Sequence, residues 1–314
     1  MKTEQKRKAN VKNIIIYSVI GAVAVGAGIG AGLFLHSKLK PDVVVIVGDA
    51  DAYRPDVDAA MAKYESAKSN GRFLTALTPD ELTVVAYKLF AEKETSLAKG
   101  VGYTDANTLG LSVHQVILST IYRVGDQYFE ESLSQGMVNL YDRMYEADGN
   151  TTMYWTKNGN YADCTPETIT NEEYREKMGS NVSTGLRYIV SPQTCLYDSP
   201  TASGDPATNA YENDEGKIVV ELELNPEISV LDYVRQMKSI SDLAAYPIFD
   251  YVHLTVTMDK NLNLERMVTH EAYYATTSSG VGSPLEGSIT TVYSSDGTET
   301  IPSITDVITY PDEL

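Results

Sequence analysis

Only two cysteines, one tryptophan, five phenylalanines and four histidines occur in the 314 residues, and no cysteine precedes Cys164. An export signal ending in a lipid-modified cysteine is therefore excluded, as is a cysteine-rich metal or disulfide framework. No Walker loop, HExxH helix, serine-centred elbow or Cys/His nucleophile pair can be found, so no catalytic residue, metal or cofactor is expected. Positive charge is scarce too. Beyond residue 40 there are 18 basic against 42 acidic side chains, a net charge of −24. A field of that sign repels nucleic acid and keeps an exported domain soluble, so no nucleic-acid partner is expected.

Long apolar runs are also missing, with one exception. Ile14–Leu35 is 22 residues without a charge, enough at about 1.5 Å per residue to cross a hydrocarbon core of roughly 30 Å. A secretory signal would carry a shorter apolar region, about 7 to 15 residues, before its cleavage site. The run reads as a retained transmembrane helix, although small residues such as Ala27 and Gly30 leave late cleavage open. Lys2, Lys6, Arg7, Lys8 and Lys12 precede it. Basic residues stay in the cytoplasm, so the N-terminus is expected inside and the C-terminal domain outside the cell membrane. Gly26, Gly28, Gly30 and Gly32 form two overlapping small-xxx-small pairs. They permit a homodimer through the membrane helix, against the general abundance of glycine in such helices. The expected organisation is a cytoplasmic tail over 1–13, the membrane helix over 14–35, a juxtamembrane linker over 36–55 and an extracytoplasmic domain over 56–314.

That outer part divides by period. A helix is expected over Asp56–Ser69. A second opens at Thr78-Pro79, with Glu81 completing a capping box and Leu82, Val85, Ala86, Leu89 and Phe90 on one face. From Ser112 the period changes to two. Gly125-Asp126, Asp148-Gly149 and Asn158-Gly159 then supply hairpin turns, and a capped helix from Thr170 to Gly179 interrupts the strands. "GLRYIV" is expected to resume the sheet, and Asp198–Gly216 to be a loop. A further helix begins at Ser229. "KIVVELEL" and "YVHLTVTM" alternate cleanly, the latter with Val252, Leu254, Val256 and Met258 inward, and Asp259–Glu265 reads as a hairpin turn rather than a calcium loop. The fold class is α+β: a curved antiparallel, half-barrel-like sheet with helices on one face. Cys164 and Cys195, both on the exported side, are expected to form a disulfide.

A two-residue turn at Asp148-Gly149 sets Arg143 against Tyr154 and Tyr145 against Thr152. Tyr141, Arg143, Tyr145, Tyr154 and Tyr161 then share one side, while Leu140, Met144, Met153 and Trp155 share the other as core. A Tyr/Arg patch is the composition of a binding hot spot, and also of an ordinary solvated sheet face. His253 and His270 flank the later hairpin, without a third metal ligand.

The order of elements, amphipathic helices followed by a long meander interrupted by two helices, resembles the curved-sheet lipoprotein-carrier and lipid-binding lipoprotein family over about residues 57 to 310. The resemblance is architectural. It implies a half-barrel whose concave face shelters an acyl chain. Three functions follow as expectations: recognition of a protein or glycan through the Tyr/Arg face, carriage of a lipid between sheet and helices, or a hydrolase with dispersed carboxylates.

Overall fold

A computed structural model describes residues 48–108, 111–136, 139–184, 186–197, 208–240, 243–278 and 280–311. Ile14–Leu35 and its four glycines lie outside these residues. Among the described residues, no helix is long and apolar enough to cross a membrane.

Three helices come first: α1 (Val57–Lys68), the short α2 (Phe73–Ala76) and α3 (Pro79–Ala91). Asp56 caps α1 through Ala59 N, and the capping box expected at Thr78 and Glu81 starts α3. Leu82, Val85 and Ala86 on α3 are fully buried. The strands follow as β1 (Thr95–Thr108), β2 (Leu111–Val124), β3 (Gln127–Gln135), β4 (Leu140–Ala147), β5 (Asn150–Thr156) and β6 (Glu167–Thr170), then α4 (Asn171–Met178). After it come β7 (Asn209–Glu212), β8 (Ile218–Leu224), α5 (Leu231–Ile240), β9 (Ile248–Met258), β10 (Leu264–Thr276) and β11 (Gly282–Ser294).

All eleven strands join one open antiparallel sheet in the order β6-β5-β4-β3-β2-β1-β11-β10-β9-β8-β7. The chain walks outward from β1 to one edge, crosses through α4 to the other edge, and walks back until β11 pairs with β1. The curved α+β sheet expected from the alternation is therefore present, built as two meanders. Turn chemistry fixes their register. Asp148 and Gly149 both take positive φ (51° and 75°), as a type I′ hairpin demands. Asp259 closes the β9–β10 hairpin by accepting from the backbone N–H groups of Asn261 and Asn263.

Two cores and one small cluster fill the helix-covered face. The larger packs α1 and α3 on β8–β11, with Val252, Leu254, Val256 and Met258 inward as their alternation requires. The smaller seats Tyr174 and Met178 of α4 on Met144 and Met153. Ala50 is buried beside Ile189 and Leu231, so the packed unit begins before Asp56.

Four local expectations are corrected. Strand β1 stands where no strand was expected, because Ala98, Gly100 and Gly102 provide no apolar alternation. Its bareness is required: a β-carbon on Gly102 would lie 2.1 Å from the Ser288 carbonyl oxygen of β11. Where "GLRYIV" was expected as a strand, the described residues Leu186–Val190 form an irregular segment laid over the sheet, tied by Ile189 N to Ser229 O. Strand β7 forms inside the expected Asp198–Gly216 loop. Gly159 turns the chain (φ 77°) into a 3₁₀ turn at Tyr161–Asp163, not into a further strand. The disulfide is absent as well, since both cysteines are free. Cys164 follows β5 near one edge of the sheet, with its Sγ on Trp155 O, while Cys195 bridges to Leu224 of β8 near the other. Burial in the larger core pushes the Cys195 thiol up to about 12.

Candidate functional site

The side of the sheet turned toward the helices carries a hollow. In the centre of the sheet, β1, β2 and β11 put small side chains on their inner positions: Ala98 and Thr104, Ser119, Gly287 and Thr291. Small floor residues cannot reach the layer above. That layer is α3, which contributes Val84, Tyr87, Phe90 and Ala91, together with the irregular segment Leu186–Val190 and Tyr233 of α5. Between floor and roof lies a cavity of about 420 Å³. Ligand pockets commonly enclose roughly 300–1,000 Å³ and are mostly apolar with a few polar groups, so both size and lining suit a small molecule.

The roof is held by aromatic contacts. Tyr87 and Tyr293 share a hydroxyl hydrogen bond of 2.5 Å with rings edge to face, and Phe90 packs edge to face on Tyr293 at 5.1 Å. Polar groups sit at defined points in this wall. Glu271, an inner position of β10, accepts hydrogen bonds from the Tyr188 and Tyr233 hydroxyls, the second at 3.2 Å. Burial raises its pKa, against the opposing pull of the two hydroxyls and of Arg187. Arg187 reaches Glu130 of β3 at 3.4 Å, and burial raises the Glu130 pKa despite that partner. Among the described residues Glu271 is the only carboxylate lining the cavity. The two-carboxylate arrangement of a glycoside hydrolase is not assembled there.

The five residues of the expected Tyr/Arg patch come together on the opposite, outer face. The register is Tyr141 to Thr156, Arg143 to Tyr154 and Tyr145 to Thr152, as the turn arithmetic required. Tyr145 and Tyr154 meet edge to face at 5.8 Å, and the Arg143 guanidinium stacks over the Tyr161 ring at 4.3 Å. Burial raises the Tyr145 hydroxyl to about 12.

This patch is covered by the chain itself. Residues 295–311 have no helix or strand and run across the outer face as a strap. Arg143 is 3% exposed and donates to Glu131 (2.5 Å) and to the carbonyls of Ser303 (3.1 Å), Ile304 (2.5 Å) and Asp306 (2.5 Å). Tyr310 donates to the other Glu131 oxygen at 2.9 Å, and Lys99 Nζ holds Thr309 O at 2.7 Å. Tyr141, Tyr145 and Tyr154 stay half-buried beside the strap. On the same outer face His253 and His270 do lie directly opposite each other, but His270 turns to Glu286 at 3.0 Å. Among the described residues no cluster of three or more His, Cys, Asp or Glu is placed to hold a metal.

Reading from sequence missed the cavity residues: Ala98, Ser119, Arg187, Tyr188, Tyr233 and Glu271. One signal was available. In "SLAKGVGYT" the small residues Ala98, Gly100 and Gly102 alternate with Lys99, Val101 and Tyr103, a period of two written in size rather than polarity.

No protein-family model matches the chain, and no curated protein matches it significantly. Several solved structures are distantly similar, two of them as follows. One is a DUF1329 family protein from Desulfovibrio piger, 12% identical, with 71% of this chain and 93% of that chain covered at a TM-score of 0.25. The other is a putative outer membrane lipoprotein-sorting protein domain from Vibrio parahaemolyticus, 10% identical, covering 70% of this chain and 93% of that chain at a TM-score of 0.27.

Proposed function

We propose that this protein is a membrane-tethered, extracytoplasmic binder of a hydrophobic ligand, held between the sheet and the helices. The supporting observation is the 420 Å³ cavity with its floor of small side chains under an aromatic roof. A sheet–helix layer closes such a gap with Leu or Ile when nothing has to occupy it, because empty volume forfeits dispersion contacts along its whole lining. Here Ala98, Ser119 and Gly287 leave it open. The tether is supported by the length of Ile14–Leu35 and the basic residues before it, and a domain so tethered has an acyl-bearing ligand at hand.

The test is photolabelling of the full chain in lipid nanodiscs with an acyl probe carrying a mid-chain diazirine. Adducts are expected on Ile121, Met267 and Ile289, and Ala98→Leu should remove most of them while the chain still folds. Adducts confined to residues 14–35, in both chains, would reject the cavity as a binding site.

A second reading, recognition of a protein or glycan through the outer face, is supported by the partial exposure of Tyr141, Tyr145 and Tyr154 beside the strap. It requires that a partner bind these rings with Arg143 and Tyr161 already engaged. Tyr154→Ala would abolish capture of such a partner and leave acyl labelling unchanged.

A further inference from the structure

Resting on the cavity as a ligand site, we infer that the ligand is an anionic amphiphile, whose single carboxylate or phosphate head is taken by Arg123 and Arg187 while its chain lies under α3. The domain is strongly acidic, yet the cavity inverts that balance. Among the described residues its lining carries Arg54, Lys88, Arg123 and Arg187 against the single carboxylate Glu271.

These four cations are not equivalent. Arg54 is spent on Asp51 (2.7 Å) and Asp232 (2.9 Å), and Lys88 pairs with Glu92 at 3.1 Å. Arg123 has no carboxylate partner among the described residues. It donates to the carbonyls of Gly125 (3.0 Å) and Lys93 (2.7 Å), which fix the guanidinium at the β2–β3 turn and leave Nη2 without an acceptor among the described residues. Among the described residues Arg187 makes one long hydrogen bond, 3.4 Å, to Glu130, and its guanidinium lies over the Tyr233 ring at 5.9 Å, within electrostatic reach of Glu271. A guanidinium offers five N–H donors in a planar fork suited to a two-oxygen anion, so most of the capacity of Arg187 and part of that of Arg123 is unused.

The pairing places these groups together. Arg123 stands opposite Tyr128, and Glu130, the partner of Arg187, is the next inward position on the same strand. Ser183 is joined to Glu146, which stands opposite Tyr128 on its other side. Ser183 and Tyr128 therefore flank the same end of the cavity, and both line it. The lining also holds the apolar side chains Ile121, Ile289 and Met267. A charged head and a hydrocarbon chain fit these two parts of the lining.

The experiment compares two diazirine probes of equal chain length, a fatty acid and the corresponding fatty alcohol, on the full chain in nanodiscs of neutral lipid. The acid is expected to label Ile121, Ile289 and Met267 about tenfold more than the alcohol, the scale of one charge-assisted hydrogen bond. Arg123→Lys combined with Arg187→Lys should shrink that preference, and Arg123→Ala combined with Arg187→Ala should erase it. Acetate or inorganic phosphate alone should not compete at concentrations matching the probe. Equal labelling by acid and alcohol on the unaltered chain would overturn the anionic head and leave the cavity reading standing. Effective competition by phosphate alone would overturn the amphiphile in favour of a free anion. Labelling of the cavity by neither probe would overturn the ligand cavity itself.

Discussion

The two faces of the sheet reverse the roles that their sequences suggest. The outer face of β4 and β5 displays tyrosines and an arginine, the composition of a recognition surface, and is engaged by the chain's own residues 303–310. The inner face of β1, β2 and β11, where Ala98, Ser119 and Gly287 stand among Ile121, Ile289 and Tyr293, holds the open cavity. Residue chemistry alone says what a face can bind. Whether it is free to bind depends on what the rest of the chain lays over it, and the strap and the Leu186–Val190 segment make that decision here.

The largest expected effect lies on the outer face. Arg143→Ala leaves Glu131, 2% exposed, without its cation and cuts three hydrogen bonds to the strap. Stranding one partner of a buried ion pair costs about 3–5 kcal/mol, to be read by urea denaturation. A loss below about 1 kcal/mol, the scale of a surface pair, would show that the strap is not held by this clamp and that the face is open to partners.

On the inner face the corresponding substitution should be milder. An extra methylene or more in a close-packed core costs about 1–3 kcal/mol. Ala98→Leu should fall at or below the low end of that range, because its side chain projects into existing space, while acyl labelling disappears. A full overpacking cost with labelling intact would mean that the hollow is not where the ligand goes.

A third difference concerns pH. Glu271 has its carboxyl raised above 4.5 by burial. The folded chain keeps that proton to higher pH than the unfolded chain, so this contribution to stability is fully present below the unfolded value, about 4.3, and is lost as pH rises through the folded value. Glu271→Gln should therefore lose less stability than the parent when Tm is followed upward from pH 4.5. An unchanged pH profile would mean that Glu271 ionises in the fold at its ordinary value. The smallest effect is expected from reductant. With Cys164 and Cys195 free and near opposite edges of the sheet, dithiothreitol should leave Tm unchanged, and a fall would reveal a bridge.

Much of the fold was legible because its signals are local. Thr78 with Glu81, Thr170 with Glu173, the positive-φ pair Asp148-Gly149 and the alternation in β8 and β9 each specify their element within a few residues. The cavity was not legible, because it depends on the pairing of β1 with β11 across most of the chain. A strand of Ala, Gly and Ser gives no polarity pattern, and its meaning emerges only when α3 stands above it. The strap was hidden for the same reason. Nothing in "PSITDVITY" marks a cover, since its carbonyls rather than its side chains meet Arg143.

The most direct measurement is the set of nuclear Overhauser contacts between the acyl chain of a bound fatty acid and methyl-labelled full chain in deuterated-lipid nanodiscs. Contacts are expected to Val84, Ile121 and Ile289 of the cavity and none to Val307 and Ile308 of the strap. Contacts to the strap methyls, or to no methyl outside residues 14–35, would contradict the inner face as the place where this protein holds its ligand.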